Sequence, residues 1–84
     1  NDKTSITFST ENKAGALSKI LNILDEYNLN MSYIDSRPSK KELGEYVFYI
    51  DFEGHMNDIN VQKAFEEIKK FVKMFHVIGT YHAI

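Results

Sequence analysis

An α+β sandwich of order βαββαβ, with a four-stranded antiparallel sheet and two helices on one face, is what this sequence predicts. Three observations predict it. Two stretches, residues 4–10 and 45–53, alternate apolar and polar side chains with period two, as half-buried strands do. Two longer stretches, about 15–27 and 58–73, repeat apolar residues at helical spacing. The third is length: 84 residues suit one domain of six elements.

The elements follow in order. In residues 4–10, Ile6 and Phe8 share one face while Ser5, Thr7 and Ser9 share the other. Glu11 to Ala14 read as a polar turn into Gly15, after which Leu17, Ile20, Leu21, Leu24 and Tyr27 form the stripe of a helix. Asn28-Leu29-Asn30 stops it. Residues 31–37 alternate less cleanly, and Pro38 ends them, which predicts a strand at or near a sheet edge. Ser39 to Gly44 are a polar hairpin connection. Residues 45–53 are the clearest strand, with Tyr46, Phe48, Ile50 and Phe52 inward and Glu45, Val47, Tyr49, Asp51 and Glu53 outward. A second helix over 58–73, capped by Asn57 or Asp58, carries the stripe Val61, Ala64, Phe65, Ile68, Phe71 and Val72. A short apolar strand, Val77 to Tyr81, closes the chain. This order is that of the ferredoxin-like sandwich.

Composition narrows the function. The chain reads as one domain over residues 1–84, and its start without Met suggests a piece of a longer enzyme. A net charge of −2 with dispersed lysines lacks the concentrated basic face of a nucleic-acid binder. The third strand of an RNA-recognition motif carries base-stacking aromatics on its solvent face. Here the aromatic row is needed for the core, and the opposite row of Glu45, Tyr49, Asp51 and Glu53 would repel phosphates. With no cysteine there is no disulfide, no thiolate nucleophile and no cysteine-based zinc site, which fits a reducing cytoplasm. No apolar run approaches the ~18 residues that would suggest a membrane span. His55, His76 and His82 are expected in a solvated loop, a helix-to-strand junction and a strand end. No acid pair, Ser–His pattern or phosphate loop of known spacing appears. No catalytic residue, metal or cofactor is expected in this chain.

Two segments have the chemistry of a site. The turn into the first helix pairs Asn12, with both donors and an acceptor, with Gly15, which lets a ligand approach the backbone; a helix N-terminus attracts an anion. Asn12 acting as a cap and Gly15 shaping a tight turn is the plainer alternative. The second segment is Asp35-Ser36-Arg37-Pro38, which holds the only arginine and the only proline of the chain. A planar five-donor fork beside a residue that lacks a backbone donor reads as a built site, or as a strand end with a solvated charge.

Together the two segments carry a resemblance. Gly15-Ala16-Leu17 opening the helix, then Ser36-Arg37-Pro38 about twenty residues on, resembles the ACT domain, and among ACT domains the phenylalanine-sensing type of the prephenate dehydratase family. The likeness extends to Asn12-Lys13, Asn30, Gly44-Glu45-Tyr46 with Phe48, Asp51 to His55, and Gly79-Thr80-Tyr81. Asp35 stands where that family usually has Glu, Ala14 where it often has Pro, and His82 where it often has Pro. The first departure shortens that carboxylate's reach by one methylene.

The resemblance implies a regulatory domain that binds L-phenylalanine between paired copies, as a homodimer or within a tetrameric parent, and feeds back on a dehydratase with or without a fused chorismate mutase. It implies a carboxylate on the N–H groups around Ala16 and Leu17. The ammonium would lie by Asn12, Asn30 or carbonyls near Asp35 and Ser36. The benzyl group would lie in a slot made from Leu17, Leu21, Met31 and Ile34. Ser36, Arg37 and Pro38 complete the candidate set, either at the ligand or orienting the loop or partner. The regulatory domain of an aromatic amino-acid hydroxylase, which shares both motifs, is the second expectation. A dimerisation module without ligand is the third.

Overall fold

A computed structural model describes residues 1–11 and 13–82. The expected order is present: β1 (Asp2–Thr10), α1 (Lys13–Glu26), β2 (Met31–Pro38), β3 (Tyr46–Glu53), α2 (Ile59–Ile68), a 3₁₀ turn (Lys69–Phe71) and β4 (Met74–His82). The strands lie in the order β2-β3-β1-β4, every neighbouring pair antiparallel. Each helix therefore links two strands that run the same way with a third between them, the split βαβ arrangement of the ferredoxin-like fold.

Alternation builds the core. Ile6 and Phe8 of β1 oppose Ile50 and Phe48 of β3, and all four are fully buried. Ile20, Ile23 and Leu24 of α1 and Val61, Ala64, Phe65 and Ile68 of α2 close over them. Phe8 and Phe48 stack with ring centres 5.2 Å apart, and Phe52 meets Phe65 edge-on at 6.1 Å. Such contacts add to area burial.

α1 ends in a Schellman cap. Asn28 takes the left-handed conformation at φ 59°, its N–H donates to the Asp25 carbonyl at 3.0 Å, and Leu29 N–H donates to the Leu24 carbonyl at 2.8 Å. Leu24 and Leu29 are both buried, which supplies the apolar contact that accompanies this cap.

A hydroxyl relay ties the β3–α2 connection to the sheet. Thr4, fully buried, donates to the Gly54 carbonyl at 2.7 Å and lies 2.7 Å from the Thr80 hydroxyl, which accepts from Met56 N–H at 3.0 Å. A hydroxyl has one proton, so with that of Thr4 on Gly54 it is Thr80 that donates to Thr4. Gly54 itself sits at φ 131°, and a Cβ there would meet Val61 Cγ2 at 3.3 Å. Thr4→Val removes the donor at Gly54 and the acceptor at Thr80, and is expected to cost about 1–3 kcal/mol. A lowered urea midpoint with unchanged slope would show it. An unchanged midpoint would mean that the connection is held without the hydroxyls.

Several boundaries depart from the sequence expectation. β1 begins at Asp2 and β4 at Met74, because antiparallel pairing runs from Asp2–His82 to Ser9–Met74. His76 therefore lies within β4 opposite Thr7 rather than at a junction. α1 begins at Lys13, so Gly15 is its third residue. α2 ends at Ile68, and the tighter 3₁₀ turn rotates Phe71 off the stripe to 41% exposure. Lys19 Nζ lies 4.8 Å from the Phe71 ring centre. Glu45, expected to face solvent within the strand, is buried just ahead of β3.

Candidate functional site

The two motif segments converge on one end of the sheet. Thr10 of β1 opposes Tyr46 of β3, which opposes Pro38 of β2, so the three form one row across the strands. Two strand spacings separate Thr10 from Pro38, about 10 Å. The chain leaves Thr10 for α1, and Gly15, Ala16 and Leu17 follow within its first two turns. Gly15 is exposed, Ala16 half-buried, and Leu17 packs against the core. Asn12 lies outside the described residues.

Register divides the tetrapeptide between two faces. Ile34, Ser36 and Pro38 oppose the core-facing Ile50, Phe48 and Tyr46, so they stand on the helix-bearing face. Asp35 and Arg37 oppose Tyr49 and Val47 on the bare face. There Arg37 Nε lies 3.2 Å from Asp35 Oδ2, with the arginine side chain 75% exposed. An exposed pair of this kind contributes little to stability. A groove of about 460 Å³ on that face is lined by Tyr33, Asp35, Arg37, Tyr49 and Asp51, among others. Thr7 Oγ1, in the floor of a neighbouring groove of about 550 Å³, is buried without a hydrogen-bond partner among the described residues.

Asn30 and Met31 are not with the others. They stand at the far end of β2, about 23–26 Å from Pro38 at strand rise. The Asn30 carbonyl accepts from Glu53 N–H at 2.9 Å, and its amide lies 3.4 Å from Glu53 Oε1. A register shift between Met31 and Tyr33 keeps Met31 opposite Phe52, on the same face as Ile34. Met31 and Ile34 are 39% and 36% exposed, and β2 pairs only with β3, so this apolar row runs along an open edge.

Lys73 links segments near both motifs, a position that sequence reasoning missed. Its Nζ lies 3.3 Å from Glu11 Oε1 and 3.2 Å from Glu45 Oε2, and its N–H donates to the Ser9 carbonyl at 2.9 Å. Hydrogen bonding to Glu45, then to Glu11, raises the ammonium pKa above the usual 10.5. Beside it a cleft of about 450 Å³ runs along the start of α1, past Gly15, Ala16, Lys19 and Phe71. The partners are 62 and 28 residues away in sequence, so no local spacing marked the cluster.

The histidines form no centre. His55 Nδ1 accepts from Asn57 N–H at 3.0 Å in the turn before α2, and His82 Nδ1 lies 3.5 Å from Asp2 Oδ1. Among the described residues no cluster of His, Asp or Glu is arranged to hold a metal, and no helix is long and apolar enough to cross a membrane.

The ACT domain model matches residues 4–70, and the chain belongs to the ACT domain family. Within it the chain is 42% identical over 81 residues to the bifunctional chorismate mutase/prephenate dehydratase of Aquifex aeolicus. That match covers 96% of this chain and 22% of the relative, so the chain spans under a quarter of that protein's length. It superposes on the prephenate dehydratase of Arthrobacter aurescens, solved in complex with L-Phe, with a TM-score of 0.88 and 32% identity, over 98% of this chain and 27% of that one. A quorum-quenching acylase, GqqA, superposes with a TM-score of 0.89 and 28% identity, over 99% of this chain and 43% of that one.

Proposed function

We propose that this chain is the effector-binding domain of a prephenate dehydratase and senses L-phenylalanine, the pathway end product, for feedback control. The parent's reaction would be the decarboxylative dehydration of prephenate to phenylpyruvate, by residues outside this chain. The observation that carries the reading is the superposition on a prephenate dehydratase bound to L-Phe. It is supported by the convergence of Gly15-Ala16-Leu17 and Ser36-Arg37-Pro38 on one end of the sheet.

A second copy completes the site in this proposal. β2 is an edge strand whose outward N–H and C=O groups are open to another strand. Antiparallel pairing of two β2 strands about a two-fold axis sets Asn30 and Met31 of one copy beside Arg37 and Pro38 of the other. The four candidates at opposite ends of β2 in one chain then belong to one site. The ligand carboxylate lies towards the start of α1, and the benzyl group on the row of Ile34 and the partner copy's apolar edge. Binding favours the paired state by its differential affinity, which is the coupling that an allosteric domain needs.

Calorimetric titration of the chain with L-phenylalanine tests this. A saturable heat is expected, with a rise in melting temperature that corresponds to about 2.7 kcal/mol at a hundredfold excess over Kd. A chain shown to be dimeric by sedimentation that gives neither heat nor a shift would sink the reading.

A further inference from the structure

Lys73 stands between the approach to α1 and the connection behind Pro38, with one carboxylate partner on each side. Glu11 is the last described residue before α1, two positions ahead of its first residue and four ahead of Gly15. Glu45 closes the connection behind Pro38: its carbonyl accepts from Ser39 N–H at 2.8 Å, and its N–H donates to the Glu42 carbonyl at 3.2 Å. Lys73 comes from a third place, the junction between the 3₁₀ turn and β4.

The two arms differ in strength. The Glu45 side chain is 9% exposed, and a carboxylate withdrawn from water needs a cation beside it. The Glu11 side chain is 75% exposed, so its arm is screened and easily exchanged. One ammonium thus has a firm carboxylate on the 39–45 side and a light one on the α1 side.

We propose that Lys73 is a positioning residue of the effector site: anchored on Glu45, it holds Glu11 and sets where the first turn of α1 stands relative to the Asp35–Pro38 segment. This rests on the L-phenylalanine reading for its functional consequence. The positioning itself is independent of that reading. Loosening the Glu11 arm leaves the core untouched and lets the turn that carries Gly15 and Ala16 drift. Loosening the Glu45 arm also strands a buried carboxylate, so it costs stability as well.

Glu11→Gln, Lys73→Met and Lys73→Arg separate these effects. In E11Q and K73M, L-phenylalanine affinity measured by calorimetry is expected to fall about threefold to fivefold, the upper end of what one screened ion pair supplies. K73R, whose fork reaches both carboxylates, stays within about twofold of the wild type. Amide hydrogen exchange without ligand is the second measurement: protection from Ala14 to Leu17 is expected to drop in E11Q and K73M and to hold in K73R. Were K73M to lose stability while exchange at Ala14–Leu17 and affinity both match the wild type, Lys73 would be structural only and the proposal overturned. A wild-type chain that gives no heat with L-phenylalanine removes the proposed function instead, and the exchange pattern then decides the positioning role by itself.

Discussion

Phe48→Ala is expected to destabilise this domain by about 3–5 kcal/mol, which is a large part of the roughly 5–15 kcal/mol that holds a typical domain together. Phe48 is fully buried in the second strand of the sheet, opposite Phe8 and stacked on its ring. Removing the ring deletes its transfer energy and leaves a cavity between sheet and helices that rigid strands cannot close. An 84-residue chain has no second core to lean on. Phe71→Ala is the control. That ring lies 41% exposed outside the buried cluster, with Lys19 over it, and its loss should cost no more than about 1 kcal/mol. Urea unfolding followed by far-ultraviolet dichroism compares the two. Equal losses would mean that the Phe8–Phe48 stack is not the centre of the core.

Ile34→Asp is expected to abolish the response to L-phenylalanine, weakening binding by more than about 100-fold, while the chain still folds. Ile34 lies on the helix-bearing face of the edge strand, opposite Ile50 yet 36% exposed, so its replacement removes little of the core. Its own cost should be about 1 kcal/mol. In the proposed pair it lines the slot for the benzyl group and stands near the two-fold axis. A carboxylate there must lose water against an aromatic ring, and two copies face each other as like charges. Calorimetry and sedimentation together read the outcome. A variant that still binds L-phenylalanine within threefold of the wild type would place the apolar slot elsewhere.

Much of this was legible along the chain. The sheet interior at Ile6, Phe8, Phe48, Ile50 and Phe52 was readable because a strand's faces alternate strictly, so apolar residues two apart mark one side. The edge position of β2 was readable from Pro38, which a central strand does not tolerate. The end of α2 was not. Phe71 and Val72 continue the helical period, but the 3₁₀ turn at Lys69 has three residues per turn and carries Phe71 outward. The early start of β4 was hidden for a related reason. Met74 and Phe75 follow Phe71 and Val72 across Lys73 with no turn signal between them, and only the length of β1 decides that they pair as a strand.

The candidate site divides in the same way. Residue types and spacing singled out Gly15-Ala16-Leu17 and Asp35-Ser36-Arg37-Pro38. Their arrangement needed the register: Ser36 with the helices, Asp35 and Arg37 on the bare face, Asn30 and Met31 at the far end. By itself the sequence determined the fold class, the core and the edge strand, since these follow from periodic burial, which neighbouring residues encode locally. Only the tertiary structure decided that Lys73 stands between Glu11 and Glu45. Ion pairing depends on distances between residues tens of positions apart, and no local period carries that information.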